Sequence, residues 1–211
     1  MSRLGREYPD AKIPLKFATP WQLLVAVILS AQCTDERVNK VTRELFKKYR
    51  APEDFAKAKS QDLQKAVFST GFYRAKAKNI AGAAKAVIEK FGGKVPRTME
   101  EILTLPGVAR KTANVVLAHA YGVVEGIAVD THVRRLARRL GLTSEDDPVK
   151  IERDMMSALP RAHWRDVSLL LQYHGRAVCR AAKPACGACV LSNICPSAFS
   201  FDKKITGKNK K

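Results

Sequence analysis

The segment Leu105-Pro106-Gly107-Val108-Ala109-Arg110-Lys111-Thr112-Ala113 lies between two stretches of helical pattern, and its reading decides the fold. Proline ends the first helix because it lacks an N–H donor and its ring collides with the preceding turn. Glycine then permits the backbone of a tight hairpin. The next helix opens with backbone N–H groups that have no partner within the helix, and such an end binds anions, a DNA phosphate among them. That contact would be blind to base sequence. A plain connector between helices has the same outline, so the hairpin alone names no ligand.

Outward from the hairpin the pattern stays helical in both directions. Thr98-Met99-Glu100-Glu101 has the spacing of a capping box and opens the short helix before the turn. Further upstream, a helix from Ala75 to Phe91 is stopped by Gly92-Gly93, and Pro96 bars its continuation. Ser60 to Ser69 and Val38 to Tyr49 read as amphipathic helices with basic outer faces. Thr19-Pro20 is a helix start, and Leu23 to Leu29 behind it is apolar all round, as a core helix should be.

Downstream, a helix runs from near Ala109 to about His119, followed by the loop Gly122 to Gly126 and the apolar run Ile127-Ala128-Val129. Asp130 can cap a helix carrying Arg134, Arg135, Arg138 and Arg139. Asp147-Pro148 starts another helix, and Trp164 to Val178 forms a last long one. No segment alternates as a strand would, so the expected fold is all-α.

The chain has 211 residues, with 38 Lys and Arg against 20 Asp and Glu, a formal charge of +18. That length suits one or two domains with a real core. The charge calls for a polyanion: nucleic acid, anionic lipid or an acidic protein. The first ten residues, Met1 to Asp10, have no apolar signal core. The longest apolar stretch, Trp21 to Cys33, is interrupted by Gln22, Ser30 and Gln32 and is too short to span a bilayer. An intracellular protein without a membrane segment is expected, where disulfides are rare. Lys203 to Lys211 reads as a solvated basic tail.

Four of the five cysteines crowd together as C-x6-C-x2-C-x5-C: Cys179, Cys186, Cys189 and Cys195. Such a set can hold either a zinc ion or an iron–sulfur cluster. Structural zinc sites usually show two close cysteine pairs; one close pair here leans the reading toward a [4Fe–4S] cube. Cys33, on the apolar helix, reads as a small buried hydrophobe. Arg176, Arg180, Lys183 and, further out, Arg165 flank the cysteines, as on a rigid loop that presents cations to phosphates.

Two further residues carry possible chemistry. Lys111 sits at a helix start, where the positive dipole end and Arg110 both disfavour an ammonium, and partial burial would act the same way. A neutral lysine amine is a nucleophile; a lysine in a first helical turn is more commonly just a solvated charge. Asp130 is either a helix cap or a base and electrostatic partner for Lys111. A tight Lys–Asp ion pair would hold the lysine protonated, so the two should lie near each other without direct contact.

Together these residues resemble the endonuclease III family of bifunctional DNA glycosylases, the iron–sulfur type of the helix-hairpin-helix superfamily. The resemblance spans nearly the whole chain. It rests on Leu29-Ser-Ala-Gln32-Cys-Thr-Asp35, Thr70-Gly-Phe-Tyr73, Leu105 to Asn114, Ile127-Ala-Val-Asp-Thr-His132 and the four cysteines, in that order.

The resemblance implies a two-domain helix-hairpin-helix glycosylase fold. One domain is a six-helix body over residues 15–122 that contains the hairpin; the other joins residues 1–14 to 123–211 and holds a [4Fe–4S] cluster on Cys179, Cys186, Cys189 and Cys195. Duplex DNA and a flipped-out nucleotide would lie in the groove between them. Lys111 and Asp130 are implied as catalytic residues. Gln32 matches the residue that fills the hole left by the flipped base, and Phe72 stands where an intercalating wedge is usually aliphatic. As structural alternatives, Gln32 would cap its helix and Phe72 would be core. Gly107, Ala109, Arg110, His132 and Lys183 complete the implied DNA contacts. Ala109 departs from the family pattern, replacing a second hairpin glycine, and so does the loop Gly122 to Gly126; both bear on affinity rather than on Lys111 or Asp130.

The implied reaction removes an oxidised or ring-saturated pyrimidine from duplex DNA and nicks the strand by β-elimination through a lysine Schiff base, abasic sites also being substrates. The protein is expected to be a cytoplasmic monomer, associated with the nucleoid through DNA. Three alternatives stand beside this. A monofunctional adenine glycosylase of the same superfamily would lack the hairpin lysine and carry an acid on the helix that here reads Leu23 to Ala31, where there is none. A non-catalytic DNA-binding module would have no use for Lys111 and Asp130. A redox sensor that merely binds DNA would form no covalent adduct.

Overall fold

The structure, a computed structural model, describes residues 1–201, and the basic tail from Lys203 lies outside the described residues. Those residues form eleven α-helices and three short 3-10 turns, with no strand among them. The chain divides into two compact units, one of Ile13–Glu125 and one joining Met1–Lys12 to Gly126 onward.

The first unit is built around the apolar helix. After a short helix α1 (Ser2–Glu7), which belongs to the second unit, α2 runs Pro20–Ser30. Thr19 caps α2, its hydroxyl accepting from the Gln22 N–H at 3.2 Å, and the Gln22 side chain reaches back to accept from the Ala18 N–H at 2.8 Å. Every residue from Leu23 to Leu29 is buried, so the helix has no polar face to turn outward. Each of the leucine, isoleucine and valine side chains contributes roughly 1.5–3 kcal/mol of burial free energy. Around α2 pack α3 (Asp35–Lys48), α4 (Pro52–Lys57), α5 (Ser60–Val67), α6 (Tyr73–Phe91), α7 (Met99–Ile102) and α8 (Arg110–Tyr121), which contribute Val38, Phe55, Leu63, Ile80, Ile102 and Leu117 to one core.

In the second unit, α1 packs with α9 (Thr131–Arg139), α10 (Pro148–Ala158) and α11 (Trp164–Ala177) around Ile127, Leu136, Ile151, Met155 and Leu171. Asp147 caps α10 by accepting from the N–H groups of Val149 and Lys150, both at 3.0 Å, with Pro148 in the first helical position. The Ser168 hydroxyl donates to the Ala128 carbonyl at 2.9 Å, tying α11 to the segment before α9.

The structure departs from the sequence reading at particular points. Helix α5 ends at Val67, and Phe68–Thr70 tighten into a 3-10 turn. In the capping box, Thr98 accepts from the Glu101 N–H at 3.3 Å, but its hydroxyl donates to the Glu101 carboxylate at 2.8 Å, where a reciprocal box would have the carboxylate take the Thr98 N–H. The short helices α1 and α4 were not foreseen, because six residues carry too little periodicity to register. No described helix is long and apolar enough to cross a membrane.

Candidate active site and cluster loop

The hairpin takes its shape from two residues. Gly107 has φ 78°, and a Cβ there would lie 2.7 Å from Asn79 Cβ and 2.9 Å from Asn79 Nδ2. Backbone conformation and the α6 wall thus both demand glycine. Ala109 is at φ −95° and ψ 169°, extended geometry that any residue adopts, so nothing here requires a second glycine. Leu105 and Val108 anchor the turn in the core, and the Val108 N–H donates to the Leu105 carbonyl at 3.1 Å.

Helix α8 begins after Ala109 with no side-chain cap and no acidic residue in its first turn. Helices α5, α6 and α11 likewise lack a cap from their N-cap side chain, whereas α2, α3, α7, α9 and α10 have one. The positive end of the helix dipole at the N-terminus of α8 favours an anion. Lys111 occupies that first turn and is exposed: α8 turns Ala113 and Asn114 into the core, and Lys111 lies outside it. Arg110 is half-buried beside it.

Gln32 and Phe72 are both exposed, and both lie in the left-handed region, at φ 52° and 48°. Non-glycine residues seldom adopt that region. Phe72 is 65% exposed, so it is not a core residue. Gln32 follows the C-terminus of α2. The Phe68 and Tyr73 rings pack beside the Phe72 turn with centroids 4.8 Å apart, and Arg74 covers the Tyr73 ring at 5.2 Å.

In the second unit, Asp130 is half-buried and caps α9, Oδ1 accepting from the Val133 N–H at 2.8 Å. The four arginines of α9 divide by face. Arg134 and Arg138 reach Asp146, whose carboxyl they hold below the usual range, with the Arg134 hydrogen bond the main cause. Arg135 turns inward and donates to the carbonyls of Gly175, at 3.0 Å, and Cys179, at 3.1 Å, with His132 Nδ1 3.2 Å from the same guanidinium nitrogen. A Cβ on Gly175 would fall 2.9 Å from that guanidinium, so glycine makes room for it.

The cysteine segment is a loop with a single 3-10 turn at Cys186–Ala188. It brings Cys179, Cys186, Cys189 and Cys195 to one pocket, together with Arg139, Val178, Pro184, Ala198 and Phe201. Among the described residues no three His, Cys, Asp or Glu side chains close on a single point. The donor set is nonetheless four thiols on apolar walls, which fits a thiolate-ligated cluster. Arg139 donates to Cys179 Sγ at 3.2 Å and to the carbonyls of Arg180 and Ala181, both at 2.8 Å. Buried His174 lies between Tyr8, whose hydroxyl is 3.0 Å from Nδ1, and Cys189, whose sulfur is 3.2 Å from Nε2. Burial pushes the His174 pKa down and the Cys189 thiol up. Lys183 is exposed on this loop.

Sequence reasoning missed Asn79 and His174, and it placed Arg135 and Arg139 on an arginine-rich helix without their partners. Their side chains matter through partners distant in sequence, and no local pattern marks them.

Two helices joined by a glycine hairpin, the second opening on a lysine in its first turn, define a helix-hairpin-helix protein. The chain belongs to the HhH-GPD superfamily of base excision DNA repair proteins, whose family model matches residues 25–161. Within that superfamily its relatives include endonuclease III proteins. It is 57% identical over 195 residues to endonuclease III of Synechocystis sp., covering 92% of this chain and 89% of that one. It is 44% identical to endonuclease III of Bacillus subtilis, covering 97% of this chain and 93% of that one. Among solved structures it resembles a trapped endonuclease III–DNA covalent intermediate with a TM-score of 0.90 and 42% identity, covering 94% of this chain and 93% of that one. A non-covalent endonuclease III–DNA complex matches with a TM-score of 0.91 and 41% identity, covering 96% and 95%. The reaction class follows from this membership: a base excision repair glycosylase and lyase.

Proposed function

We propose that Lys111 is the nucleophile and Asp130 the electrostatic partner in removing an oxidised or ring-saturated pyrimidine from duplex DNA, and in cleaving at abasic sites. The observation that carries this reading is the exposure of Lys111 in the first turn of α8, directly after the Gly107 hairpin. Likeness to a protein trapped covalently on DNA supports it.

The hairpin, through Gly107, Ala109 and Arg110, holds a phosphate at the open end of α8. Phe72 enters the base stack at a cost of a few kcal/mol, and Gln32 fills the space left by the extruded nucleotide. The Lys111 amine adds to C1′ of the sugar. The C1′–N bond breaks, its electron pair leaves with the base, and the base takes up a proton. The C1′–O4′ bond then breaks, O4′ takes its electron pair and the proton that the amine gives up, and an iminium is left at C1′. Loss of a C2′ proton then expels the 3′ phosphate with the C3′–O electron pair, and water hydrolyses the imine to free the amine. Asp130 offsets the positive charge that develops on the sugar and assists proton transfer. His132 and Lys183 hold phosphates beside the lesion.

Cys179, Cys186, Cys189 and Cys195 would hold a [4Fe–4S] cluster that organises the loop when bound. Residues 15–122 act as the DNA-reading body, and residues 1–14 with 123–211 as the cluster domain. The protein works as a monomer on nucleoid DNA in the cytoplasm.

The test is borohydride trapping on a lesion-bearing duplex. Wild type is expected to form a covalent adduct, and Lys111→Gln to form none while keeping DNA affinity within a few-fold, since the hairpin amides and Arg110 remain. Trapping that persists in the variant places the nucleophile elsewhere.

A further inference from the structure

Lys76, in the first turn of α6, is 4% exposed, and its side chain runs into the core of the first unit. Its ammonium donates to the Leu29 carbonyl at 2.8 Å and to the Thr70 carbonyl at 2.7 Å. No carboxylate pairs with it among the described residues. Burial pushes its pKa down, and only Cys33, beside Gln32, acts in the other direction. A buried ammonium held by two carbonyls alone is an expensive group, and a hydrophobe of similar length would fill the same space.

The position of its two acceptors gives the lysine a purpose. Leu29 is three residues before Gln32, and Thr70 is two residues before Phe72. Among the described residues only three non-glycines have positive φ: Gln32, Phe72 and Phe199. Two of the three therefore follow a carbonyl gripped by one ammonium. The roots of both loops are buried, Leu29 fully and Thr70 at 1% exposure, while the tips are exposed. Between Thr70 and Phe72 stands Gly71 at φ 70° and ψ 158°, a region essentially confined to glycine. Strained exposed backbone persists only where the surrounding structure over-determines it. Here the shared constraint is Lys76, whose own N–H donates to the Phe72 carbonyl at 3.0 Å.

We infer that Lys76 is a positioning residue: its ammonium ties the Leu29 and Thr70 carbonyls together, so that Gln32 and Phe72 meet DNA at a fixed spacing. This rests on the reading of Gln32 and Phe72 as the residues that enter the helix. Without the tie each loop could still reach DNA, but the wedge and the filler would no longer act on one base step together. Lys76 touches no substrate and takes no part in proton or bond transfer.

The experiment compares wild type, Lys76→Met, Lys76→Gln, Phe72→Ala and the double variant Lys76→Gln/Phe72→Ala. Single-turnover cleavage is measured on a duplex with a central abasic site and on the same abasic oligonucleotide as a single strand, which has no paired stack to open. 2-Aminopurine fluorescence beside the site reports unstacking. Lys76→Met and Lys76→Gln are expected to lower the duplex-to-single-strand rate ratio at least tenfold and to weaken the fluorescence rise. The double variant should fall no further than the lower single variant, because both changes disable one device. The Gln variant keeps a polar donor and serves if the Met variant does not fold. An unchanged ratio in whichever Lys76 variant folds, an equal loss on both substrates, or additive losses in the double variant overturns the inference. A Phe72→Ala protein with normal unstacking and a normal ratio overturns the underlying reading of Phe72, and the Lys76 role with it.

Discussion

The Arg139 guanidinium donates to the sulfur of Cys179 at 3.2 Å, from a helix whose N-cap is Asp130. One helix thus carries the carboxylate proposed for catalysis at one end and a grip on the cysteine loop at the other. Arg139 also holds the carbonyls of Arg180 and Ala181, so the loop's conformation is fixed from outside as well as by its cysteines.

Arg139→Ala should loosen that loop. A charged donor is worth about 1.5–3 kcal/mol where its partner stays buried, less at an exposed carbonyl. A net loss of about 2 kcal/mol would lower Tm by roughly 4–8 °C for a chain of this size. The purified wild-type protein should be brown, with iron and acid-labile sulfide in near-equal amounts. The variant should bleach faster in air, followed by visible absorbance. A colourless wild type with one zinc per chain would remove the cluster from the account. Cys186→Ser should be unstable or insoluble, since the loop loses its organising centre.

Gly107→Ala and Ala109→Gly should behave oppositely to a simple glycine count. The first forces a Cβ into Asn79 and a positive φ onto alanine, costing about 1–3 kcal/mol and most of the hairpin's DNA affinity. The second changes a residue already in extended geometry and should leave affinity within about twofold, with a slight loss of stability from added chain entropy. Fluorescence anisotropy with undamaged duplex measures both.

Asp130→Asn separates charge from capping. Asparagine caps about as well as aspartate, so Val133 keeps its acceptor and the fold should hold. Base removal should slow a hundredfold or more if the carboxylate stabilises a cationic sugar. Asp130→Ala should add a stability loss of about 1 kcal/mol that the asparagine variant lacks. Single-turnover excision beside a thermal melt distinguishes the two effects; a near wild-type rate in Asp130→Asn leaves Asp130 as a cap alone.

DNA affinity should fall steeply with salt. If about six phosphates are contacted, log K against log salt should have a slope of roughly −5. Lys183→Ala should make the slope shallower by about one unit without altering lesion preference. A slope near zero would assign the basic surface to another partner.

Much of this protein is local in origin and so was open to a reader of the sequence. The all-α character follows from periodicity, and the caps at Thr19, Asp130 and Asp147 follow from a side chain bonding an N–H two or three residues away. The hairpin follows from proline and glycine in succession, and the crowding of four cysteines is visible as spacing alone. Helices α1 and α4 escaped because a six-residue helix has too few turns to show a period, and is held by its neighbours rather than by propensity.

What the tertiary structure alone decided is which side chains face which backbone groups far along the chain. Lysine and arginine look alike on a composition count; here Lys111 points to solvent, Lys76 is buried on two carbonyls, and Arg139 holds a cysteine sulfur. The left-handed backbone at Gln32 and Phe72 was equally invisible, since neither residue type favours it. The hydrogen bond from Lys76 to the Leu29 carbonyl, which precedes Gln32, spans 47 residues of sequence. Short-range hydrogen bonding selects helices and their ends, whereas the cost of burying a charge is set by whatever the completed fold places beside it.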